Sequence, residues 1–373
     1  MHSVVTRILI VGGYGAFGAR VAERLAREPT LQVVIAGRSN DKAAAYAREL
    51  ARTAKARIAH AVLDATLANF EALRTLGARI VINASGPFQT QTYELARACI
   101  GAGCHYVDLA DAPAFVTGIT ALDAPAKAAG VTVISGASSV PGLSSAVVEE
   151  FAGTFFPLES IEIGISPGNN FDPGAATVAS ILAQAGKPHT QLHQGRHETV
   201  YGWQGLSRHH FPQIGARWMS AVAVPDLDLL PAYFPTIQTV RFSAGVEVAP
   251  FHLGLWSLSW LVRAGLVRDL GAIAAPLLRV KRTLRFLGSD SGGMFVTLRG
   301  RGADGARKEL AWHLIARSGD GPYVPAIASV ILAKRLDAGR GPAPGAQPCF
   351  ALFTLAEFEA EVVDLDIACT TQG

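Results

Sequence analysis

Residues 8–18 read ILIVGGYGAFG, an apolar run followed by glycines at every third position. A buried strand that passes through such glycines into a helix is typical of a dinucleotide-binding turn. Gly12 allows the tight turn, Gly15 the close approach of the backbone to a pyrophosphate, and Gly18 the packing of helix on strand. The alternative is a glycine-rich turn without a ligand. We predict that this turn binds a cofactor through Gly12, Gly13, Tyr14, Gly15, Ala16, Phe17 and Gly18.

The end of the second predicted strand reads Ala36-Gly37-Arg38-Ser39, where proteins that bind NAD carry an acid for the ribose hydroxyl. Arg38 suits bidentate pairing with a 2′-phosphate, and Ser39 or Lys42 adds a donor, so the sequence predicts NADP. The alternative is a solvated arginine at the head of a helix. Asp64, after the third strand, either faces the adenine or caps the next helix.

From Arg7 to about Val148, short β-branched runs alternate with alanine-rich helical stretches, which indicates βαβ units. The predicted class is α/β, with a Rossmann doubly wound parallel sheet in residues 1–150. After Phe156-Pro157 the proposed strands look antiparallel and the loops lengthen. This predicts a mixed α+β domain over residues 151–320, and we expect residues 321–373 to return to the first domain.

Further motifs carry a resemblance to a known family. They are NASGPF at residues 83–88, Tyr106-Val107-Asp108, and SSVPG at residues 138–142. Together with the glycine turn and AGRS, they resemble the saccharopine dehydrogenase-like reductases over about the first 150 residues and only loosely beyond. Related branches resemble saccharopine reductases, carboxy(nor)spermidine dehydrogenases and trans-acting enoyl reductases. The resemblance implies a Rossmann domain for NADP(H), hydride transfer at the nicotinamide, and a second domain for substrate contacts and often for a dimer interface.

The same resemblance implies which residues border the nicotinamide. Residues 138–142 would form one wall, and the other would consist of Ser85, Gly86, Pro87 and Phe88. Asp108 and Asp111 lie at or just past the fifth strand, so either one orients substrate or handles a proton. Asp111 is alternatively an N-cap before Ala112-Pro113.

Two histidine groups occur in the second domain. Arg208-His209-His210 falls in a predicted loop between Gly205 and Gly215, where the three side chains would grip a carboxylate and supply a proton. The alternative is a solvated polar loop. His189, His193 and His197 recur every four residues, but Pro188 and Gly195 interrupt any helix that would align them, so we predict no metal site.

Composition excludes several classes of protein. The 373 residues carry a net charge of only +3, which gives no reason to expect a nucleic-acid partner. The four cysteines form no CxxC pair, so neither a disulfide framework nor a zinc ribbon is encoded. There is no complete nucleophile elbow and no P-loop. The N-terminus shows no export signal, and the longest apolar stretch, Phe251–Val262, is too short to span a bilayer. We expect a cytoplasmic protein.

Residues 251–285 depart from this pattern. Six basic residues and one acid, Asp269, follow the apolar stretch with Trp256 and Trp260. This composition suits a membrane surface or an acyl chain, or else a core helix whose arginines extend into solvent. The sequence thus predicts an NADP(H)-dependent oxidoreductase acting on an unidentified small molecule, expected to be a homodimer. A lipid or acyl-chain reductase peripheral to a membrane, or a non-catalytic NADP-binding protein, are the alternatives.

Overall fold

A computed structural model describes residues 5–172, 174–268 and 270–373. Asp269 therefore lies outside the described residues. The strands are β1 (Thr6–Val11), β2 (Leu31–Gly37), β3 (Arg57–Val62), β4 (Ile80–Asn83), β5 (His105–Asp108), β6 (Thr132–Ser135), β7 (Leu158–Ser166), β8 (Pro188–His193), β9 (Arg196–Tyr201), β10 (Ser207–Phe211), β11 (Gly215–Ala221), β12 (Thr239–Gly245), β13 (Gly292–Arg301), β14 (Arg307–Ala316), β15 (Gly345–Pro348) and β16 (Ile367–Gln372).

The helices begin and end as follows: α1 (Gly18–Leu25), α2 (Asn40–Leu50), α3 (Phe70–Leu76), α4 (Glu94–Ala102), α5 (Pro113–Gly118), α6 (Asp123–Ala128), α7 (Ser144–Ala152), α8 (Gly174–Gln184), α9 (Asp226–Tyr233), α10 (Ala249–Arg263), α11 (Ala274–Thr283), α12 (Val324–Asp337) and α13 (Leu355–Val362). The chain divides into two compact units. The first comprises the residues up to Leu143 together with Pro322–Phe353, and the second comprises Ser144–Gly321 and Thr354–Gly373.

The first unit is a doubly wound parallel sheet. Within the described residues its strand order is β15-β6-β5-β4-β1-β2-β3, and every pairing is parallel. Ile8, Leu9 and Ile10 of β1 are all fully buried, because a parallel sheet is covered by helices on both faces. The predicted Rossmann fold is confirmed.

This strand order fixes the place of a ligand site. Ile8 of β1 pairs with Val33 of β2 on one side and with Ile80 of β4 on the other. The chain thus winds outward from β1 to β3 and then returns to the opposite side of β1. Ligands of such sheets bind at the carboxyl ends of the strands where the order reverses. The turn after β1 and the loop after β4 lie at this point.

The second unit is built on a mixed sheet. Its described strands follow the order β10-β11-β12-β7-β13-β14-β16, and the β8–β9 hairpin joins through β12. The prediction of an antiparallel sheet is wrong at one pairing, because β12 runs parallel to β7, with Thr239 opposite Ser160. The long connection between them, which includes α8 and α9, brings the chain back in the same direction.

The sequence predicts that residues 321–373 return to the first unit, but only some of them do. β15 pairs with β6, and α12 packs on α1, so residues 322–353 lie in the first unit. β16 instead pairs with β14, so the last twenty residues, 354–373, belong to the second unit. In the described part of the chain, no helix has the length and apolarity needed to cross a membrane.

Candidate functional site

The glycine turn has the backbone geometry that its sequence predicts. Gly12 has a φ of +79°, which a residue with a side chain rarely adopts. The N–H groups of Gly12 and Gly13 both donate to the Ala36 carbonyl, at 2.8 and 3.2 Å. A Cβ on Gly18 would lie 2.2 Å from the Gly12 carbonyl oxygen, so α1 begins against the turn only because residue 18 is glycine.

This turn touches the loop that follows β4. The Ala84 N–H donates to the Val11 carbonyl at 2.8 Å, and a Cβ on Gly12 would lie 2.9 Å from the Ala84 oxygen. Consequently the residues predicted to hold the diphosphate lie directly beside NASGPF. The two backbones are in contact here, so residue 12 must be a glycine.

Tyr14 joins the glycine turn to the AGRS segment, a contact that sequence analysis did not foresee. A Cβ on Gly37 would meet the Tyr14 ring at 2.5 Å, and the Ser39 N–H donates to the Tyr14 hydroxyl at 3.2 Å. The only sequence signal was the pairing of an aromatic residue in the turn with a glycine at the end of β2. Tyr14 thereby fixes the backbone on both sides of Arg38.

Arg38 is exposed at the carboxyl end of β2. Ser39 caps α2, since its hydroxyl accepts the Lys42 N–H at 3.4 Å. The hydrogen of that hydroxyl is left to donate, as predicted for a phosphate ligand. Arg38 thus stands at the head of a capped helix with its guanidinium at the surface, where an anionic group can reach it.

Asp64 does not cap the following helix, so that alternative is wrong. Asn69 is the N-cap of α3, and its side chain accepts the Ala72 N–H at 2.9 Å. The Asp64 carboxylate instead accepts the N–H and the hydroxyl of Thr66, at 2.9 and 2.8 Å. These bonds, together with the charge of Arg38, lower the pKa of Asp64, so it stays ionised beside Arg38.

The NASGPF loop is fixed by a buried amide. The side-chain Oδ1 of Asn83 accepts the Ser85 N–H at 3.1 Å and the Ser85 hydroxyl at 2.6 Å. The side-chain Nδ2 of Asn83 lies 3.2 Å from the Tyr106 hydroxyl and 3.3 Å from Gln91 Oε1. Gln91 donates in turn to the Ser85 carbonyl. The backbone at Ser85 is thereby held rigid, while Gly86 is exposed and Phe88 is buried.

Asp108 is fully buried. Its Oδ1 accepts the Ala110 N–H at 3.0 Å, the Gly136 N–H at 2.8 Å and the Ser135 hydroxyl at 2.9 Å. Burial raises the pKa of Asp108 to about 6, although these hydrogen bonds oppose the shift. The carboxyl group ties the end of β5 to the loop after β6, so its position favours a positioning role over contact with substrate.

Asp111 is only partly buried and does not cap α5. The N-cap of that helix is Ala112, which makes no side-chain cap bond. Gln89, just past the NASGPF loop, donates to Asp111 Oδ1 at 3.4 Å. Desolvation raises the pKa of Asp111 above the ordinary value for an aspartate. The structure therefore brings Asp111, but not Asp108, to a surface beside the predicted nicotinamide loop.

His209 and His210 lie in β10, not in the predicted loop, and the structure does not bring them together. Successive residues of a strand point to opposite faces, so Arg208 and His210 share the exposed face. Arg208 lies over the Trp218 ring at 5.3 Å. The predicted grip of Arg208, His209 and His210 on one carboxylate is therefore wrong.

His209 packs inward, where it stacks on Phe295 with ring centroids 3.6 Å apart. Its Nε2 lies 3.1 Å from Nε2 of His313, a residue that sequence analysis missed because it is 104 positions away. Burial and the neighbouring histidines lower the pKa of His209 to about 4, so this pair is neutral at physiological pH. In a neutral pair either imidazole can donate the shared hydrogen bond, depending on its tautomer, but the pair supplies no positive charge to an anion.

Comparison with known families matches one part of the chain. Residues 8–134 match the family described as the saccharopine dehydrogenase NADP binding domain. The resemblance indicated by the motifs is thus confirmed over residues 8–134, and the match supports NADP as the cofactor.

Solved structures give a broader likeness. Saccharopine dehydrogenase (L-Glu forming) from Saccharomyces cerevisiae superposes with a TM-score of 0.72 at 15% identity, covering 99% of this chain and 100% of that one. Amine dehydrogenase from Mycobacterium smegmatis gives 0.49 at 12% identity, covering 94% of this chain and 96% of that one. The first likeness shows a shared fold. No curated protein sequence matches the chain.

Proposed function

We propose that the protein is an NADP(H)-dependent oxidoreductase that transfers a hydride to or from a small molecule. The observation that carries this proposal is the packing of Gly12 against Ala84, where a Cβ on the glycine would lie 2.9 Å from the alanine oxygen. It puts the turn suited to a diphosphate directly beside a loop with a rigid, partly exposed backbone.

The described residues fit NADP(H). Gly15 is half-buried and has no side chain between its backbone and a diphosphate, the N-terminus of α1 attracts that charge, and Arg38 with the Ser39 hydroxyl suits a 2′-phosphate. Ser85–Phe88 would border the nicotinamide. When bound, the cofactor supplies or accepts the hydride at C4 of that ring.

Asp111 is the proposed proton donor or acceptor. It lies at the carboxyl end of β5 beside Gln89, and its raised pKa keeps a larger share of the carboxyl protonated than an exposed aspartate would. Asp108 is a positioning residue, because its Oδ1 holds the Ala110 and Gly136 backbone. His209, which is neutral, would act as a hydrogen-bonding group within the second unit, where it contacts His313.

Hydride transfer can be tested before the substrate is identified. The protein is incubated with a metabolite extract and NADPH deuterated at C4, and the small molecules are examined by mass spectrometry. We expect deuterium in a specific product with the unmodified protein and none with a Gly15→Asp variant. Undeuterated products throughout, together with tight NADPH binding, would instead support the non-catalytic alternative.

An acyl chain on a membrane lipid is a second candidate substrate class. It is favoured by the exposed apolar side chains Trp260 and Leu261 at the end of α10. Repeating the deuterium experiment with a lipid extract separates it from a polar metabolite. A homodimer in the cytoplasm, peripheral to a membrane in this second case, completes the proposal.

A further inference from the structure

Helix α10 buries two polar residues and exposes two large apolar ones. His252 and Ser259 are fully buried two turns apart on one face, where Val262 is also buried. Trp260 and Leu261 are 44% and 40% exposed. A helix that packs on a core normally buries its apolar face and exposes its polar residues.

The burial of His252 and Ser259 on the inner face of α10 has identifiable causes. His252 Nε2 lies 2.9 Å from the Ser220 hydroxyl, and its Nδ1 accepts the Val246 N–H at 3.2 Å. At Ser259 the backbone of Gly186 approaches so closely that a Cβ there would lie 2.3 Å from the Ser259 oxygen. Hydrogen bonding and close packing therefore hold His252 and Ser259 inside, whereas Trp260 and Leu261 remain exposed.

Exposed apolar side chains continue along the sequence beyond α10. Of thirteen large apolar side chains exposed in the described part of the chain, seven fall within residues 260–287. Leu266 and Phe286 are the most exposed of these, at 74% and 73%. We call the exposed residues of this segment the apolar patch, which comprises Trp260, Leu261, Leu266, Ile273, Val280, Phe286 and Leu287.

Cations accompany the patch. Residues 249–262 contain no Lys, Arg, Asp or Glu, whereas Arg263, Arg268, Arg279, Lys281 and Arg282 follow. Arg268 and Arg279 are exposed. Arg263 lies over the rings of Tyr201 and Trp260, at 3.9 and 4.9 Å, and Arg282 pairs with Asp172 at 2.8 Å. Cations and exposed apolar side chains therefore alternate along the segment, and Arg263 contacts Trp260.

We propose that the apolar patch is a docking site for a membrane surface that contains anionic lipid. Exposed Trp and Leu side chains with interleaved arginines are the groups that enter the interface between headgroups and acyl chains. Anionic headgroups complement Arg268 and Arg279. A second copy of the chain fits this patch less well, because a two-fold contact would bring two surfaces of like charge together, whereas an anionic membrane would pair with both arginines.

Vesicle sedimentation tests this docking site independently of hydride transfer. The full chain is sedimented with phosphatidylcholine vesicles that contain or lack about a third of phosphatidylglycerol. We expect at least tenfold stronger binding to the anionic vesicles at low salt, and a decline as salt screens the charges. Absence of binding to anionic vesicles at every salt concentration would overturn the proposal.

Variants localise the contact. The double variant Trp260→Ser, Leu266→Ser should lose vesicle binding at least tenfold, and Arg268→Glu, Arg279→Glu should lose its preference for anionic lipid. Leu67→Ser, Val363→Ser and Arg48→Glu, Arg52→Glu are matched controls, since they alter exposed residues elsewhere. Thermal unfolding, followed by circular dichroism in parallel, reports that each variant is folded.

Light scattering without vesicles tests whether a second copy of the chain, rather than a membrane, binds the apolar patch. We expect the patch variants and the unmodified protein to have the same mass in solution. A dimer that dissociates in the Trp260→Ser, Leu266→Ser variant would assign the patch to a second copy and contradict membrane docking. Equal vesicle binding by the patch variants and their controls would likewise contradict it.

Discussion

At the scale of single residues, we expect Arg38 to decide which dinucleotide binds. Its exposed guanidinium stands at the end of β2 where an acid would repel a 2′-phosphate. We expect Arg38→Glu to erase a preference for NADPH over NADH of at least tenfold, or about 1.4 kcal/mol. Nicotinamide fluorescence titrations measure both dissociation constants. Arg48→Glu makes an equal charge change on the neighbouring helix α2 and should leave the preference intact. A similar loss of preference in both variants would disprove the role of Arg38.

Asp111 is the other residue whose position leads to a prediction. Because desolvation raises its pKa, reduction should slow as the pH rises through that pKa and the carboxyl loses its proton. Asp111→Asn should remove this pH dependence and lower kcat/KM by roughly a hundredfold, the usual size of such proton transfers. NADPH affinity should stay within a few fold. An unchanged pH profile in the variant would assign the proton to another group.

At the scale of elements, the turn after β1 and the loop after β4 perform separable tasks. Gly86 is exposed, and the nearest atom to a Cβ there is Phe88 Cδ2 at 3.8 Å, so a larger side chain fits. Gly86→Trp should abolish turnover while NADPH affinity changes by less than a few fold. Gly15→Asp should abolish NADPH binding, since it places a negative charge against the diphosphate.

Gly15→Ala is the control for the second variant, because it adds the Cβ without the charge. That Cβ would lie 3.1 Å from the Gly12 oxygen, which is tight but requires only a small shift. We expect Gly15→Ala to retain measurable NADPH binding in the same titration. Weak nucleotide binding by Gly86→Trp would show that the two loops do not act separately.

Local sequence signals account for the elements of the first unit better than for those of the second. A parallel sheet is predicted from the β-branched runs and the glycines at 12, 15 and 18. These signals can be recognised because each one is contained within a few consecutive residues. The sequence predicts a loop at β10, since SRHHF has no alternation of apolar and polar residues. The strand forms a hairpin with β11, and Phe211 packs on Phe295, a contact that depends on a distant residue.

At the scale of the whole molecule, stability depends on buried titratable groups. Asp226 is fully buried, and desolvation raises its pKa to about 7, although the Ser144 hydroxyl bonds to it. A carboxyl whose folded pKa is raised lowers stability as the pH rises from its ordinary pKa of 3.8 to that value. Each pKa unit corresponds to about 1.4 kcal/mol.

Above about pH 7, the Asp226→Asn variant should therefore have a higher melting temperature than the unmodified protein. Its free energy of unfolding should be larger by an amount on the order of a few kcal/mol. Near pH 4, where Asp226 is protonated in the folded state, the two proteins should melt together. Calorimetry at both pH values measures the difference. An Asn variant less stable at high pH would show that the carboxylate is stabilised by groups beyond Ser144.

The candidate site shows the same limit on sequence analysis at this scale. Motifs next to strand ends placed Arg38, Ser85 and Asp111 correctly at the carboxyl edge of the sheet, because parallel strands bring their ends together. The contacts of Tyr14 with Gly37 and of His209 with His313 join residues 23 and 104 positions apart. No local pattern marks such pairs, and only the folded chain identifies them.

The measurement that tests the account most directly is the affinity of the unmodified protein for NADPH and NADH, titrated side by side at low and physiological salt. The exposed Arg38 and the uncovered glycine turn predict that NADPH binds at least tenfold more tightly, and that the advantage declines as salt screens the guanidinium. Equal dissociation constants, or tighter binding of NADH, would contradict the account.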